Sequence, residues 1–293
     1  MKRTTLMVLA GLSTLAIADP TIDGTADAMY GGPLAVQDTP TGFGDSNLGQ
    51  INYANGSELD AAYAVITGST LFVTIAGNLE SNFNKIEVFI DSIGGGQNQL
   101  RGDNPDVDFN GLNRMAGLTF DSDFAADYYI TSTCGGGTFG LYNNYAELLT
   151  NGGGSGGYLG SNDGQSGGIL GGGNNPYGIQ VALNNSNTAG VSSSSASGAG
   201  SVTTGLEYAI PLAALGNPTG MIKVSAFING GGHDFISNQV LGGIGGAGNI
   251  GEPSQANFSN LAGNQYFAVP EPGTVAAFAL GGIFLVARKR RSK

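Results

Sequence analysis

The stretch Gly102-Asp-Asn-Pro-Asp-Val-Asp-Phe-Asn-Gly111 sets oxygen-bearing side chains at alternate positions: Asp106, Asp108 and Asn110, followed by Gly111. This fits the first half of the D-x-[DN]-x-[DN]-G pattern of calcium loops, whose alternating oxygens converge on one ion when the chain curls tightly around it. Glycine at the sixth place permits that turn. The twelfth place holds Gly117 where a glutamate would complete the set, so the closing oxygen must come from Asp121, Asp123 or water. The other reading of the same residues is a solvated, Asx-rich turn. Calcium is the one cofactor that the residues suggest.

Other constellations are thinner. The chain has one cysteine, Cys134, and one histidine, His233, with Asp234 beside the latter. A thiol with a neighbouring base is a hydrolase nucleophile, but Cys134 precedes three glycines and reads as a small buried residue at a strand end, and His233 follows three glycines in a loop. The glycine clusters lack the Gly-Lys-Ser/Thr of a phosphate cradle. With no catalytic residue assigned, the expectation is a protein that is not an enzyme. Of the 11 basic residues only Lys85, Arg101, Arg114 and Lys223 lie outside the two ends, against all 22 acidic ones between Asp19 and Glu271. Four cations against 22 anions leave this region at −18, which excludes nucleic acid as a partner and favours divalent cations. A lone cysteine also rules out an intramolecular disulfide.

The elements that must carry these residues read as strands. In AAYAVITGSTLFVTIAGNL, apolar residues alternate on both sides of Gly68-Ser69, the signature of a β-hairpin. NKIEVFIDS places Ile86, Val88 and Ile90 on one face and Lys85, Glu87, Phe89 and Asp91 on the other, the period of a half-buried strand. Further strands are expected over 114–120, 127–133, 139–145, 177–183, 201–210 and 222–229, and a short helix over Pro211–Gly216. The 52 glycines among 293 residues are more than double the usual share of about 7%. The runs 151–175, 191–201 and 242–251 therefore read as surface loops. Together these features give an all-β fold, an antiparallel, jelly-roll-like β-sandwich with long Gly/Ser-rich loops and a C-terminal hydrophobic helix.

Three segments, IDGTAD near residue 22, TLFVTIAGNL with NKIEVFIDS, and GLEYAIPLAALG with IKVSAFING, occur in an order that resembles the family-nine carbohydrate-binding-module and DOMON-like sandwiches over most of 21–230. The resemblance implies a glycan-binding face. With tryptophan absent, Tyr128, Tyr129, Tyr142 and Tyr145 would supply the stacking platforms.

The two ends speak of transport. Lys2 and Arg3, an apolar stretch from Leu6 to Ile17, and small residues at Ala16 and Ala18 before Asp19 have the grammar of a secretory signal peptide cut after Ala18. Near the other end, Val269-Pro270-Glu271-Pro272 precedes an apolar run, Gly273 to Ala287, and then Arg288-Lys289-Arg290-Arg291. As a helix of 15 residues that run reaches about 22 Å, short of the hydrocarbon core of about 30 Å. The arrangement resembles the PEP-CTERM sorting signal of Gram-negative bacteria. By that resemblance the basic cluster stays in the cytoplasm, the apolar run holds the protein in the inner membrane, and an exosortase-type enzyme reads the Pro-Glu-Pro and removes the tail. A permanent C-terminal anchor is the competing reading. The expected organisation is a signal peptide over 1–18, a sandwich over 19–266 and a sorting and transient anchor segment over 267–293. The expected role is a non-enzymatic cell-surface or extracellular-matrix protein associated with exopolysaccharide, or, alternatively, a carbohydrate-binding module.

Overall fold

The computed structural model describes residues 18–269. Alternating apolar residues draw the chain into thirteen strands: β1 (Ala35–Val36), β2 (Glu58–Thr67), β3 (Thr70–Asn78), β4 (Asn82–Asp91), β5 (Tyr128–Gly135), β6 (Gly140–Glu147) and β7 (Gly156–Asn162), then β8 (Gly171–Gly172), β9 (Gln180–Leu183), β10 (Gly205–Pro211), β11 (Ile222–Asn229), β12 (Ile236–Val240) and β13 (Phe267–Val269). Five of them form one antiparallel sheet in the order β1-β2-β3-β10-β9. The larger sheet runs β12-β11-β4-β5-β6-β7-β8, with β13 sharing the outer edge of β11. The expected β2–β3 hairpin is present, its two-residue turn made by Gly68 at φ 58° and Ser69. A single α-helical turn, α1 (Gly111–Arg114), interrupts the strands. The expected helix over 211–216 is a 3-10 turn, Leu212–Leu215, ended by Gly216 in the left-handed region.

The two sheets face each other across a core that includes Leu71, Val73 and Ile75 of β3, Ile86, Val88 and Ile90 of β4, Tyr208 of β10 and Val224 of β11. The outer faces are covered as well. Phe89, Tyr129 and Phe227, on the far side of the larger sheet, pack with Leu112, Phe120, Phe124 and Phe258 from the chain segments that cross over it. Ala61, Tyr63 and Phe72 of the smaller sheet meet Ile22, Tyr30 and Val202. Strand β4 is thus buried on both faces, a correction to the half-buried reading: its polar residues look solvent-facing in sequence but meet partners brought by later segments.

Glu207 explains why IDGTAD and GLEYAIP belong together. Its carboxylate accepts the main-chain N–H groups of Asp23 and Gly24, each at 2.9 Å, and the Tyr30 hydroxyl at 2.6 Å, tying the start of the domain to β10. Other expectations fail in instructive ways. Residues 114–120 form the end of α1 and a turn, with isolated bridges only at Thr119. The glycine-rich run 151–175, expected as loop, contains β7 and β8. A Cβ on Gly160 would sit 2.6 Å from the Gly171 carbonyl oxygen, so glycine is what lets these backbones approach. Strand β12 was missed because ISNQV does not alternate, yet all five of its residues are buried.

At the sorting end, Ile222 pairs with Val269, Lys223 with Ala268 and Val224 with Phe267. Val269 is fully buried, so the sandwich continues to the residue that precedes Pro270. Of the expected signal-cleavage residues, Ala18 and Asp19 are exposed coil and Ala16 lies outside the described residues. Pro270, Glu271, Pro272, the apolar run with its expected helix, and Arg288, Lys289, Arg290 and Arg291 also lie outside them.

Candidate functional site

On the outer face of the larger sheet the covering layer stops short and leaves a cleft of about 490 Å³. Its floor follows the strand register: Lys85 of β4 lies opposite Thr133 of β5, Thr133 opposite Tyr142 of β6, and Asn144 of β6 opposite Tyr158 of β7. Phe83 closes one end, its ring 6.3 Å from that of Tyr142. Asp106, Val107, Asp108 and Phe109 form the wall. A second depression, of about 500 Å³, lies beyond that wall and shares Lys85, Asp108 and Phe109 with the first; Gly231, Gly232 and His233 help to line it. Phe109 is the ridge between the two and is wholly exposed.

The wall is a turn that side-chain-bearing residues seldom make. Asp108, Phe109 and Asn110 all have positive φ, at 48°, 56° and 65°, a region that costs most residues about 1 kcal/mol or more. Phe83, 45% exposed, also has positive φ, at 70°. The two phenylalanines that face solvent at this cleft are both held by strained backbone.

Beneath the wall lies a buried charge network. His233 Nε2 is 2.9 Å from Asp108 Oδ2 and Nδ1 is 2.7 Å from Glu87 Oε1. Lys85 Nζ lies 2.8 Å from the same Asp108 oxygen, and the Tyr129 hydroxyl donates to Glu87 Oε2 at 2.7 Å. Two anions and two cations balance when the imidazole is protonated. Burial opposes that charge, but Glu87 and Asp108 outweigh it and raise the His233 pKa to about 9. For Asp108, desolvation is overcome by His233 and Lys85, and its carboxyl is held below the usual range. Burial and the neighbouring Glu87 carboxylate push Tyr129 well up. A Cβ on Gly111 would run into the His233 ring, so the first residue of α1 has to be glycine.

This network decides how the calcium-loop residues are used. Asp108, expected as a ligand, has its charge balanced by Lys85 and His233. Asn110 is exposed and accepts from Asn113 Nδ2 at 2.8 Å, while Asp106 is exposed at the cleft wall. The proposed substitutes lie elsewhere in the bonding: Asp121 accepts the Gln265 N–H at 2.8 Å, and Asp123 pairs with Lys223 at 3.2 Å. Among the described residues no three His, Cys, Asp or Glu side chains are grouped to hold a metal.

Cys134 is buried in the inter-sheet core, its Sγ 3.4 Å from the Leu79 carbonyl oxygen, and burial pushes its thiol up to about 12. His233 is bonded on the opposite face of the sheet, so the two do not form a nucleophile and base. Of the four expected tyrosine platforms, Tyr128, Tyr129 and Tyr145 are buried, and only Tyr142 reaches the cleft. Sequence reasoning missed Phe83, Phe109 and Tyr158 there. It also missed the joining of Glu87 to His233 and of Lys85 to Asp108, because charges that alternate with apolar residues along a strand read as solvent-facing.

Residues 268–291 match the PEP-CTERM protein-sorting motif. The match takes in Pro270-Glu271-Pro272, the apolar run and the four basic residues from Arg288 to Arg291. Neither a curated protein nor a solved structure matches the chain. The sorting motif implies an exported, membrane-sorted protein processed by an exosortase.

Proposed function

We propose that the sandwich is a non-enzymatic cell-surface or matrix domain that holds exopolysaccharide in the cleft on its larger sheet. The observation that carries this reading is the line of open aromatic rings, Phe83, Tyr142, Tyr158 and Phe109, beside the amide of Asn144 and the carboxylate of Asp106. Sugar rings present C–H faces that stack on aromatic rings and hydroxyls that bond to amides and carboxylates, and a shallow groove with both suits a chain rather than a small molecule. The only cation on the floor, Lys85, is buried against Asp108. With the rest of the surface strongly acidic, a neutral glycan is favoured over a uronate polymer.

The test is retention of the purified full chain, kept in a detergent without a sugar headgroup, on immobilised exopolysaccharide from the producing cells. Binding should be saturable and competed by soluble polymer. Phe109→Ala together with Tyr142→Ala should weaken it at least tenfold while the melting curve of the Phe109→Ala single variant stays close to that of the parent. Absence of saturable binding would leave the domain as a structural coat component, and glycan turnover in place of binding would overturn the non-enzymatic reading.

A further inference from the structure

At the far end of the hairpin, β2 and β3 pair with Glu58 directly opposite Asn78, and the register then slips so that Asp60 is an extra residue in β2. All three side chains are buried, at 1% exposure or less. Asn187 links them: its main-chain oxygen accepts from Asn78 Nδ2 at 2.9 Å and its own Nδ2 donates to Asp60 Oδ2 at 2.9 Å. Asn78 Oδ1, on the same sheet face as its cross-strand partner Glu58, has no hydrogen-bond partner among the described residues. Buried amide oxygens are rarely left so.

The two carboxylates are under-compensated in the same way. Asp60 accepts from the Val191 N–H at 2.6 Å and from Asn187, and Glu58 accepts a longer bond, 3.2 Å, from the Ser46 N–H and is faced by the side-chain amide of Asn78, which partly offsets its charge. Neither forms an ion pair with a Lys, Arg or His among the described residues, in contrast to the Glu87 and Asp108 carboxylates. Two buried anions in one pocket of a fold need a positive charge or a proton.

We propose that Glu58, Asp60 and Asn78 Oδ1 bind a divalent cation of the calcium type. Calcium accepts carboxylate and amide oxygens in flexible geometry, and main-chain carbonyls or water would fill its remaining positions. The ion would fasten the loops carrying Ser46, Asn187 and Val191 to the bulged end of the hairpin. Magnesium fits less well, because it demands near-octahedral geometry and gives up water reluctantly. The competing occupant is a proton on Glu58. Burial and the Asp60 charge raise Glu58 to about 9, so the ion-free pocket would hold that proton at neutral pH.

The experiment is calorimetric titration of calcium chloride into the chelator-treated full chain, with thermal melts alongside. One calcium should bind per chain with an affinity in the range of extracellular modules, about 10⁻⁴ to 10⁻³ M, and the melting temperature should rise more with calcium than with magnesium. Glu58→Gln should weaken binding at least tenfold. Asp106→Asn should leave it unchanged, which separates this pocket from the turn at the cleft. Should Glu58→Gln fail to fold, Asn78→Asp decides the matter: a third carboxylate tightens a calcium site, whereas a protonated pocket gains only another buried charge and no calcium response. Absence of binding at millimolar calcium, or binding that is indifferent to both Glu58→Gln and Asn78→Asp, would overturn the proposal.

Discussion

Asp108 and His233, 125 residues apart in the chain, meet at 2.9 Å beneath the cleft wall, and that contact holds the strained turn that carries Phe109. One side of the contact is a sharp turn with three successive positive φ values. The other is the only histidine of the chain, wedged against Gly111 and bonded on its second nitrogen to Glu87. The charge network is thus built from β4 and β5, a turn in the excursion after β4, and the β11–β12 connection, and none of these segments could present it alone.

Removing the imidazole should be costly. His233→Ala strands Glu87 with only the Tyr129 hydroxyl and takes one of the two cationic partners from Asp108. Breaking a buried charge network in this way costs about 3–5 kcal/mol. Urea unfolding of parent and variant measures it; a loss below about 1 kcal/mol would mean that the network contributes little to the fold.

The same network sets a pH dependence. The folded pKa of His233, about 9, lies above the ordinary imidazole value of about 6.5, so the folded state binds the extra proton between those values. Its stabilisation is complete below pH 6.5 and is lost as pH rises through about 9. The shift corresponds to at most about 3–4 kcal/mol at 1.36 kcal/mol per unit. Glu58 and Asp60, raised to about 9 and about 7 by burial, slope the same way in ion-free protein. The histidine share is therefore the difference between parent and His233→Gln, followed by denaturant titration from pH 6 to pH 9.5. That difference should shrink toward high pH; a constant one would show that the imidazole is not protonated in the fold.

The strained ridge gives a separate prediction. Phe109 is fully exposed, so its ring contributes no burial to the fold, while its φ of 56° favours asparagine over a bulky residue. Phe109→Asn should leave stability within about 0.5 kcal/mol of the parent or slightly above it, and should reduce retention on exopolysaccharide. A loss of stability larger than 1 kcal/mol would mean that the ring has a packing role, and the ligand-facing reading of the ridge would fail.

How far the sequence foretold this arrangement varied with how local the cause was. The β2–β3 hairpin was legible because alternation and a Gly-Ser turn act over a few residues. The inner face of β4 was legible for the same reason. Its outer face was not, since Lys85 and Glu87 read as solvated until His233 and Asp108 arrive from distant segments. Strands β7 and β8 were hidden because glycines that read as loop are there to permit close backbone approach. Tyr128, Tyr129 and Tyr145 were misassigned to the surface because both faces of β5 and β6 are largely covered, while Phe83 and Phe109, which no sequence pattern singled out, are held outward by positive φ. In the calcium-like turn the sequence shows the spacing of the oxygens but not their neighbours: the Asp108 charge is balanced by Lys85 and His233, which come from distant segments.

The last prediction concerns the processed end. The sorting motif matches from residue 268, yet Phe267–Val269 is a strand, paired in register with Ile222–Val224 and buried at Phe267 and Val269. A cut before this strand would remove three rungs from the edge of β11 and uncover Ile222 and Val224 in the inter-sheet core. Export is through a membrane, and the folded sandwich then holds these residues against the sheet, so the accessible peptide bonds lie beyond Val269, in or after Pro270-Glu271-Pro272. Intact-mass analysis of the protein recovered from the cell surface or medium should show a chain that begins at Asp19, retains Val269 and lacks Arg288 to Lys293. A mature end at or before Gln265 would show that β13 is dispensable, and a steady-state species that still carries the basic cluster would restore a permanent anchor. As a companion measurement, Val269→Asp places a charge in a fully buried position and should lower stability by at least 2 kcal/mol; unchanged stability would mean that the strand does not close the sandwich.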